Sequence, residues 1–291
     1  MIEKLILGTV QMGLNYGVNN HQGQISFSQS IEILFSAFKS GINTLDTAEL
    51  YGNAHEVIGK FHERYPSLRY KIITKLPSVI DSELFNIKIK KYIDDLKVDS
   101  LEAIMFHSFE SYINNKHKIT ELLILKKEGI IKKIGVSIYT NEQIEHIIED
   151  TNIDIIQLPF NLFDNEYIRG SYINKAKRFN KEIHTRSCFL QGLFFKSLSS
   201  ENKIAVKLKK SLNYINQLSV QNDLPITDLA LGYCLNQKKI DKVLIGVDSL
   251  DHLNQNIKSA EINLNSDIIE KINGIRIENT EYLNPSLWSK L

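Results

Sequence analysis

Short apolar runs alternate along this chain with longer segments in which apolar residues recur at helical spacing. The short runs are rich in β-branched residues, which favour strands. They predict strands over Leu5–Thr9, Asn43–Asp46, Lys71–Leu76, Leu101–Phe106, Ile130–Ser137, Ile153–Pro159, Glu182–Ser187 and Lys242–Val247. The longer segments predict helices over Phe27–Ser40, His55–Arg64, Leu84–Leu96, Ile119–Lys127, Asn141–Glu149, Tyr167–Asn180, Ile204–Asn222, Thr227–Leu235 and Leu250–Ser259.

This alternation indicates a parallel sheet, because each helix must carry the chain back across the sheet before the next strand begins. A doubly wound open sheet and a closed (β/α)8 TIM barrel both satisfy that requirement. The units follow one another evenly, without a linker, a low-complexity segment or a break in composition. We therefore expect residues 1–291 to form a single α/β domain with the barrel fold.

Composition narrows the classes of partner and of location. The formal net charge of +1 gives no electrostatic reason to expect nucleic acid or an anionic membrane as a partner. The two cysteines, Cys188 and Cys234, are far apart and have no metal-ligand spacing, which favours a reducing compartment over a disulfide framework. We find no signal-peptide pattern and no apolar run near the ~20 residues of a membrane span, so we expect a cytoplasmic protein.

Four polar residues fall at or just after the ends of successive predicted strands. Asp46 ends the second strand, and Tyr51 follows it in the loop. Lys75 lies near the end of the third strand, and His107 follows the fourth. In a barrel these strand ends meet at one rim, which is the active face of the fold. Each residue alone has an ordinary structural explanation, but together they predict a small catalytic cluster.

These residues carry a resemblance to a known family. Asp46-Thr-Ala-Glu-Leu-Tyr51-Gly52, followed by a strand-end lysine and a strand-end histidine, resembles the aldo-keto reductase superfamily. The similarity continues along nearly the whole chain, through Leu7-Gly8-Thr9, Gly135-Val136-Ser137, Gln157, Ser187, Gln191-Gly192-Leu193, Gly246 and Asn256. The resemblance implies a barrel whose C-terminal tail lies over the active face, and it implies reduction of an aldehyde or ketone.

Carbonyl reduction needs a hydride donor at the carbon and a proton donor at the oxygen. The resemblance assigns Tyr51 as the general acid. A tyrosine has an ordinary pKa near ~10, so we expect the ammonium of Lys75 to lower it. Asp46 would keep Lys75 charged and oriented, and His107 would orient the carbonyl oxygen. The cluster thus predicts a metal-free catalytic site.

The chain has no G-x-G-x-x-G after a strand, so it does not predict a Rossmann site. The resemblance instead implies a cofactor extended across the barrel rim, with each part held by a different segment. Its expected contacts are Ser137 and Gln157 to the carboxamide, Gly8, Thr9 and Val10 to the ribose, Arg186 to the nicotinamide ring, Ser187 and Leu193 to the pyrophosphate, and Gly246, His252 and Asn256 towards the adenine end. Arg186 stands where the family often has a stacking aromatic, and Ile138 where it often has asparagine.

The resemblance suggests NADPH, but the loop after the last predicted strand departs from the family's pattern for binding that cofactor. Residues 246–256 contain no lysine or arginine for a 2′-phosphate. His252 and Ser249 could partly serve, whereas Asp248 and Asp251 oppose a phosphate electrostatically. We predict NADPH, with NADH or dual use left open.

Substrate and assembly are less constrained. The resemblance places Tyr16, Phe109, Tyr282 and Trp288 around the pocket, and Arg186 hints at an anionic or polyhydroxylated substrate. A sugar-like or small carbonyl compound is the expected partner, and the oligomeric state is not predicted.

Two other functions fit the same residues. One is a regulatory or binding subunit that keeps the fold and the cofactor. The other is a lyase with Lys75 as Schiff-base nucleophile, which the neighbouring Asp46 disfavours because it keeps that lysine charged.

Overall fold

The computed structural model describes residues 1–17, 20, 23–79, 85–196 and 202–290, and strands and helices alternate through them. The strands are β1 (Leu5–Gly8), β2 (Thr44–Asp46), β3 (Lys71–Leu76), β4 (Leu101–Phe106), β5 (Ile131–Ser137), β6 (Ile155–Pro159), β7 (Glu182–Arg186) and β8 (Lys242–Ile245). The helices are α1 (Val10–Gly13), α2 (Phe27–Lys39), α3 (Ala54–Arg64), α4 (Phe85–Leu96), α5 (Phe109–Asn114), α6 (Ile119–Lys127), α7 (Asn141–Ile147), α8 (Glu166–Arg178), α9 (Lys203–Lys207), α10 (Lys209–Gln221), α11 (Ile226–Leu235), α12 (Leu250–Ser259) and α13 (Ser266–Asn273).

The strands form a closed barrel. Every neighbouring pair is parallel and consecutive in the chain, from β1–β2 through to β7–β8. The barrel closes where β1 pairs with β8, with Leu5 opposite Val243. Closure excludes the open doubly wound sheet, and the predicted barrel is confirmed. Each observed strand ends within two residues of its predicted bounds.

Local signals place several helix starts. Ser26 and Gln29 form a reciprocal capping box at the start of α2. Thr140 and Gln143 form a second capping box at the start of α7. Both caps satisfy backbone N–H groups that a helix leaves without partners in its first turn.

One helix prediction was wrong. The segment Ile204–Asn222 does not form one helix, because Leu208 leaves helical geometry between α9 and α10. Ile204, Leu208 and Leu212 are all buried at a spacing of four residues. The apolar pattern therefore runs unchanged through the break, and periodicity alone does not reveal it. Leu84, the predicted start of the third helix, lies outside the described residues.

Alternation along the strands separates two layers of core. A small inner cluster inside the barrel comprises Ile6, Ile73, Ala103, Met105 and Ile155, with Leu244 packed against it. The larger cluster lies between the barrel and the surrounding helices and includes strand residues such as Leu5, Leu7 and Ile72. Successive strand residues point to opposite faces, so each strand contributes to both layers.

The end of α13 and the residues just after it contact the loop that follows β6. The side-chain amide of Asn165 donates to the backbone oxygens of Ile272 and Ile275, at 2.9 and 3.2 Å. Further along, Trp288 donates through Nε1 to the carbonyl of Tyr282 at 2.9 Å. Within the described ranges, no helix has both the length and the apolarity to cross a membrane.

Candidate active site

The alternation that builds the inner cluster also builds the candidate site. Lys75 lies two residues after inward-facing Ile73 on β3, and Gln157 lies two residues after inward-facing Ile155 on β6. His107 follows β4 two residues after Met105. Each of these polar side chains therefore lies one layer beyond the inner apolar cluster, at the carboxyl end of the barrel.

Asp46 and Lys75 form a buried ion pair at the floor of the site, with side-chain exposures of 1% and 3%. Nζ of Lys75 donates to Oδ1 of Asp46, and Nε2 of Gln157 donates to Oδ2 at 2.9 Å. Burial alone would lower the pKa of Lys75, but Asp46 raises it, and the pKa stays above its ordinary value. The lysine is thus held as an ammonium.

Two glycines bring the Tyr51 loop close to the first loop of the barrel. A Cβ on Gly13 would lie 1.8 Å from the carbonyl oxygen of Tyr51, and a Cβ on Gly52 would lie 2.2 Å from the carbonyl oxygen of Gly13. Gly52 also has a φ of +55°, which glycine adopts without steric cost. Only glycine at both positions allows this approach, which fixes where Tyr51 stands.

Behind this loop, Glu49 ties it to the neighbouring helix. Its backbone N–H donates to the carbonyl of Lys75 at 3.3 Å. Its carboxylate accepts from the hydroxyl of Tyr92 and from Nζ of Lys88, the latter at 2.6 Å. The loop that carries Tyr51 is therefore anchored to both β3 and α4.

Tyr51 lies over the ion pair, with Nζ of Lys75 5.5 Å from its ring centroid. Burial raises the pKa of Tyr51 above its ordinary value, while Lys75 acts to lower it. The direction of the lysine effect is the expected one, but desolvation has the larger effect, so the pKa of Tyr51 as a whole lies above its ordinary value. The phenol is held in its protonated form.

His107 faces Tyr51, with ring centroids 5.8 Å apart and the rings nearly perpendicular. Its Nδ1 atom is buried and has no hydrogen-bond partner among the described residues. Burial, aided by the charge of Lys75, lowers the pKa of His107 to about 4. At neutral pH the imidazole is uncharged and keeps one N–H to donate.

These groups open into a cavity of about 740 Å³, within the usual range for a small-molecule site. Of the predicted catalytic and cofactor-contacting residues, all except Leu193 line it: Gly8, Thr9, Val10, Asp46, Tyr51, Lys75, His107, Ser137, Gln157, Arg186, Ser187, Gly246, His252 and Asn256. Leu193 is fully buried in the core instead. Positive φ angles at Gln191 and Gly192 reverse the chain just before it, and those two residues line the cavity.

Arg186 ends β7 and lines the cavity. Its guanidinium carbon lies 4.1 Å from the ring centroid of Tyr139. Nε donates to Oγ of Ser137 at 3.3 Å, and Nη2 donates to the carbonyl of Ile138 at 3.0 Å. A weaker contact of 3.4 Å joins Nη1 to Oγ of Ser187. The arginine is therefore stacked and oriented entirely by neutral groups.

At the rim of the cavity near α12, the polar side chains contact one another. Nδ1 of His252 contacts a carboxylate oxygen of Asp248, and Oγ of Ser249 accepts from the backbone N–H of His252 at 3.1 Å, which caps α12. Asn256 is buried on the same helix and lines the cavity. His252 and Ser249, which were predicted as partial phosphate ligands, are thus already engaged with the protein.

Sequence reasoning assigned no role to several residues that line the cavity, among them Gln11, Tyr139 and Gln191. Gln191 donates to the hydroxyl of Tyr16 at 3.0 Å, which joins the first loop to the loop after β7. No sequence signal distinguishes Gln11 or Tyr139 from ordinary loop residues. Gln191, however, lies in the Gln-Gly-Leu triplet that the sequence singles out.

The expected pocket wall is confirmed only at Tyr16. Phe109 instead packs against Tyr112 and His146, with ring centroids 6.2 and 5.2 Å away. No tail residue that the structure describes lines the cavity, so Tyr282 and Trp288 do not wall it.

Two buried acceptors in the cavity have no partner in the described part of the chain: Oε1 of Gln157 and Oε1 of Gln11. The orientation of Gln157 follows from Asp46, because a carboxylate only accepts, so the amide nitrogen must face it and the oxygen must face the cavity. Such an oxygen suits a carboxamide N–H of a nicotinamide. By contrast, no cluster of three or more His, Cys, Asp or Glu side chains in the described ranges could hold a metal.

Comparison with known proteins agrees with this arrangement. The family model described as "Aldo/keto reductase family" matches residues 4–277. The chain belongs to this family. The residues that carried the resemblance at the sequence level thus lie within a match across nearly the whole chain, and the family makes this protein an oxidoreductase by class.

Individual relatives of this aldo-keto reductase are distant. The "Uncharacterized oxidoreductase YqkF" of Bacillus subtilis is 25% identical, over 80% of this chain and 82% of its own. The D-arabinose 1-dehydrogenase of Saccharomyces cerevisiae is 23% identical, over 79% of this chain and 76% of its own. The solved structure of aldo-keto reductase AKR11C1 from Bacillus halodurans, in its holo form, superposes with a TM-score of 0.78 at 19% identity, covering 95% of this chain and 93% of that one.

Proposed function

We propose that this chain reduces an aldehyde or ketone to the alcohol with a nicotinamide cofactor, using Tyr51 as the acid. The observation that carries the proposal is the buried Asp46–Lys75 pair beneath Tyr51 and His107, at the floor of a cavity of about 740 Å³. A tyrosine, a neutral histidine and a fixed ammonium in one place suit protonation of a carbonyl oxygen better than they suit nucleophilic chemistry.

The roles of the side chains follow from their protonation states. When bound, a reduced nicotinamide supplies the hydride to the carbonyl carbon. Tyr51 gives its phenolic proton to the oxygen, and the ammonium of Lys75 stabilises the phenolate left behind until solvent returns a proton. Asp46 keeps that ammonium charged, and the neutral His107 donates a hydrogen bond to the carbonyl oxygen.

Several cavity-lining residues would bind the cofactor. Ser137 and Gln157 are opposite each other on β5 and β6, and Oε1 of Gln157 is an open acceptor for a carboxamide. Gly8, Thr9 and Val10 line the cavity on the other side, and Ser187 and Asn256 extend it towards the rim. Together these residues would hold a dinucleotide in the cavity.

We propose NADPH as the cofactor from the family resemblance, although the charges along the cavity do not favour a 2′-phosphate. The lysine and arginine among the cavity-lining residues, Lys75 and Arg186, both lie at the inner end. Asp248 lies at the rim, where a 2′-phosphate would meet its charge. Titrating the apoprotein with NADPH and NADH decides this: a tighter Kd for NADH would overturn the NADPH preference without touching the reductase proposal.

For the substrate we propose a sugar-like or small carbonyl compound. The cavity presents hydroxyl and amide groups from Tyr16, Tyr139 and Gln191 beside the catalytic cluster, which suits a polyhydroxylated molecule. The yeast relative is named as a D-arabinose 1-dehydrogenase, and D-arabinose is a sugar.

The deciding experiment follows loss of the absorbance of the reduced cofactor over a panel of aldehydes, ketones and sugars, with both cofactors. We expect turnover with at least one sugar-like or small carbonyl, and its loss in Tyr51→Phe. Tight cofactor binding without turnover across the panel would favour the binding-subunit alternative instead.

A further inference from the structure

Arg186 places a positive charge in the cavity that forms no ion pair with any described carboxylate. Of the described carboxylates, none comes within ion-pair distance of Arg186, and its hydrogen bonds go to two hydroxyls and a carbonyl. Arg169, on the neighbouring helix, shows the ordinary arrangement, because it is paired with Asp164 at 2.5 Å. A guanidinium keeps its charge at every accessible pH, so Arg186 is a fixed cation.

The other charges around the inner cavity cancel or are absent. Lys75 and Asp46 neutralise each other as a pair. His107 is uncharged at neutral pH. The pair of Asp248 and His252 lies at the rim on and beside α12. Asp164, which also interacts with Arg186, is already paired with Arg169. Among the described residues, what remains at the inner end is the charge of Arg186, in a partly buried place where water screens it weakly.

The placement of this charge points to the nicotinamide rather than to the carbonyl. Nε of Arg186 contacts Ser137, which stands opposite Gln157 in the barrel register. These are the two residues proposed to hold the carboxamide. A ring held there would lie beside the guanidinium, whose other face is already covered by Tyr139.

We infer that Arg186 makes this site discriminate between the two redox forms of the cofactor, favouring the neutral reduced ring over the cationic oxidised ring. The inference rests on the proposed function. Giving up a hydride removes one proton and two electrons from the ring, which leaves it with a charge of +1. Arg186 repels the charged oxidised ring but not the neutral reduced ring. The affinity of the site for the cofactor therefore falls once the carbonyl has been reduced.

The test measures binding, not turnover. The dissociation constants of the reduced and oxidised forms of one cofactor are determined by calorimetry without substrate, for the wild type and for Arg186→Gln and Arg186→Lys. In the wild type we expect the oxidised form to bind at least about tenfold more weakly. In Arg186→Gln we expect the ratio of the two constants to fall about tenfold, and in Arg186→Lys, which keeps the charge, to stay within about threefold of the wild type.

Arg276 offers a matched control. It also stacks on a tyrosine, with its guanidinium carbon 3.4 Å from the ring centroid of Tyr167, and it donates to backbone carbonyls, but it is exposed and does not line the cavity. Arg276→Gln removes the same kind of contact far from the proposed ring, so the ratio of the two dissociation constants should equal that of the wild type.

Each outcome has a distinct meaning. An unchanged ratio in Arg186→Gln overturns the inference, including the case in which only the KM of an anionic substrate rises, since Arg186 would then serve the substrate. If Arg186→Gln does not fold, the wild type decides, because an oxidised form bound as tightly as the reduced one contradicts the inference. Failure of both forms to bind the wild type overturns the proposed function itself.

Discussion

Two buried ion pairs lie at the carboxyl end of the barrel, and they are built differently. Asp164 and Arg169 form a closed unit: Arg169 makes two contacts with the carboxylate, at 2.5 and 2.8 Å, and its remaining nitrogen donors reach Asn141 and the carbonyl of Tyr139. The pair of Asp46 and Lys75 is open on its upper side, where it faces the cavity.

The closed pair contains an arginine and the open pair a lysine, and this difference suits what each pair does. The guanidinium of Arg169 has five donors in a fixed plane and cannot lose its proton, so it suits a pair that ties loops together permanently. Lys75 has a compact ammonium whose pKa responds to its surroundings, so it can act on a neighbouring phenol. Burial raises the pKa of Asp164, opposed by Arg169, which shows how strongly that carboxylate depends on its partner.

We expect the largest loss of activity from removing the hydroxyl group of Tyr51, which lies above the open pair of Asp46 and Lys75. Tyr51→Phe keeps the ring and its packing but removes the transferable proton. We expect kcat to fall about 10³-fold, with cofactor Kd within twofold and the midpoint of unfolding unchanged. Steady-state kinetics and denaturant unfolding check this, and turnover near that of the wild type would show that the ion pair does not serve Tyr51.

Breaking each pair in turn should separate stability from catalysis. Asp164→Asn leaves a buried guanidinium that cannot deprotonate, so we expect the free energy of unfolding to fall by about 3–5 kcal/mol. Asp46→Asn leaves a lysine that can shed its proton, so the stability loss should be smaller while kcat falls about 10²-fold or more. Urea unfolding and kinetics on both variants measure this, and equal losses of stability would remove the distinction.

The pH dependence of stability tests the surroundings of the open ion pair without a substitution in either pair. Burial lowers the pKa of His55 to about 4, and its ring shares a hydrogen bond with Thr74, next to Lys75. Because the unfolded chain takes up the proton near pH 6.5 and the folded chain only near 4, stability is fully present above pH 6.5 and is lost as the pH falls towards 4.

We expect His55 to account for about 3 kcal/mol of this loss. His107 acts in the same direction, since its pKa is also lowered to about 4. Urea unfolding of the wild type and of His55→Gln between pH 7 and pH 4.5 measures the contribution. The variant should lose less stability over that range, and parallel curves for the two proteins would contradict the assignment.

The smallest expected effect concerns position rather than charge. In Gly13→Ala the new methyl group would lie 1.8 Å from the carbonyl oxygen of Tyr51, so the Tyr51 loop must shift relative to the open pair. We expect about 1–3 kcal/mol lost in stability and about a tenfold drop in kcat/KM. Gly274→Ala is the control, because its nearest contact is 3.2 Å, and it should leave kcat/KM unchanged.

The sequence predicts the barrel well because strand and helix periodicities differ and are regular here. It also predicts the ordered set of Asp46, Tyr51, Lys75 and His107, since residues at the ends of parallel strands must meet at one rim. The structure brings these four together around one cavity. Their catalytic roles remain predictions.

What the sequence does not predict depends on local backbone geometry or on distant contacts. The burial of Leu193 follows from positive φ angles at Gln191 and Gly192, which a family pattern does not reveal. The stacking of Arg186 on Tyr139 joins two strand ends that are far apart in the chain. The net direction of the pKa of Tyr51 depends on how fully the loop desolvates it, which only the folded structure determines.

The pairing of β1 with β8 has a consequence for the order in which the protein can be made. Leu5 finds its partner Val243 only at the far end of the chain. At ribosomal rates of about 5–20 residues per second, the first strand is synthesised roughly 12 to 50 s before the strand that completes its pairing. Until then β1 has one neighbour and an exposed edge of unpaired backbone groups. The nascent chain therefore passes through a long interval as an incomplete sheet, and its open edge can pair with another chain during that time.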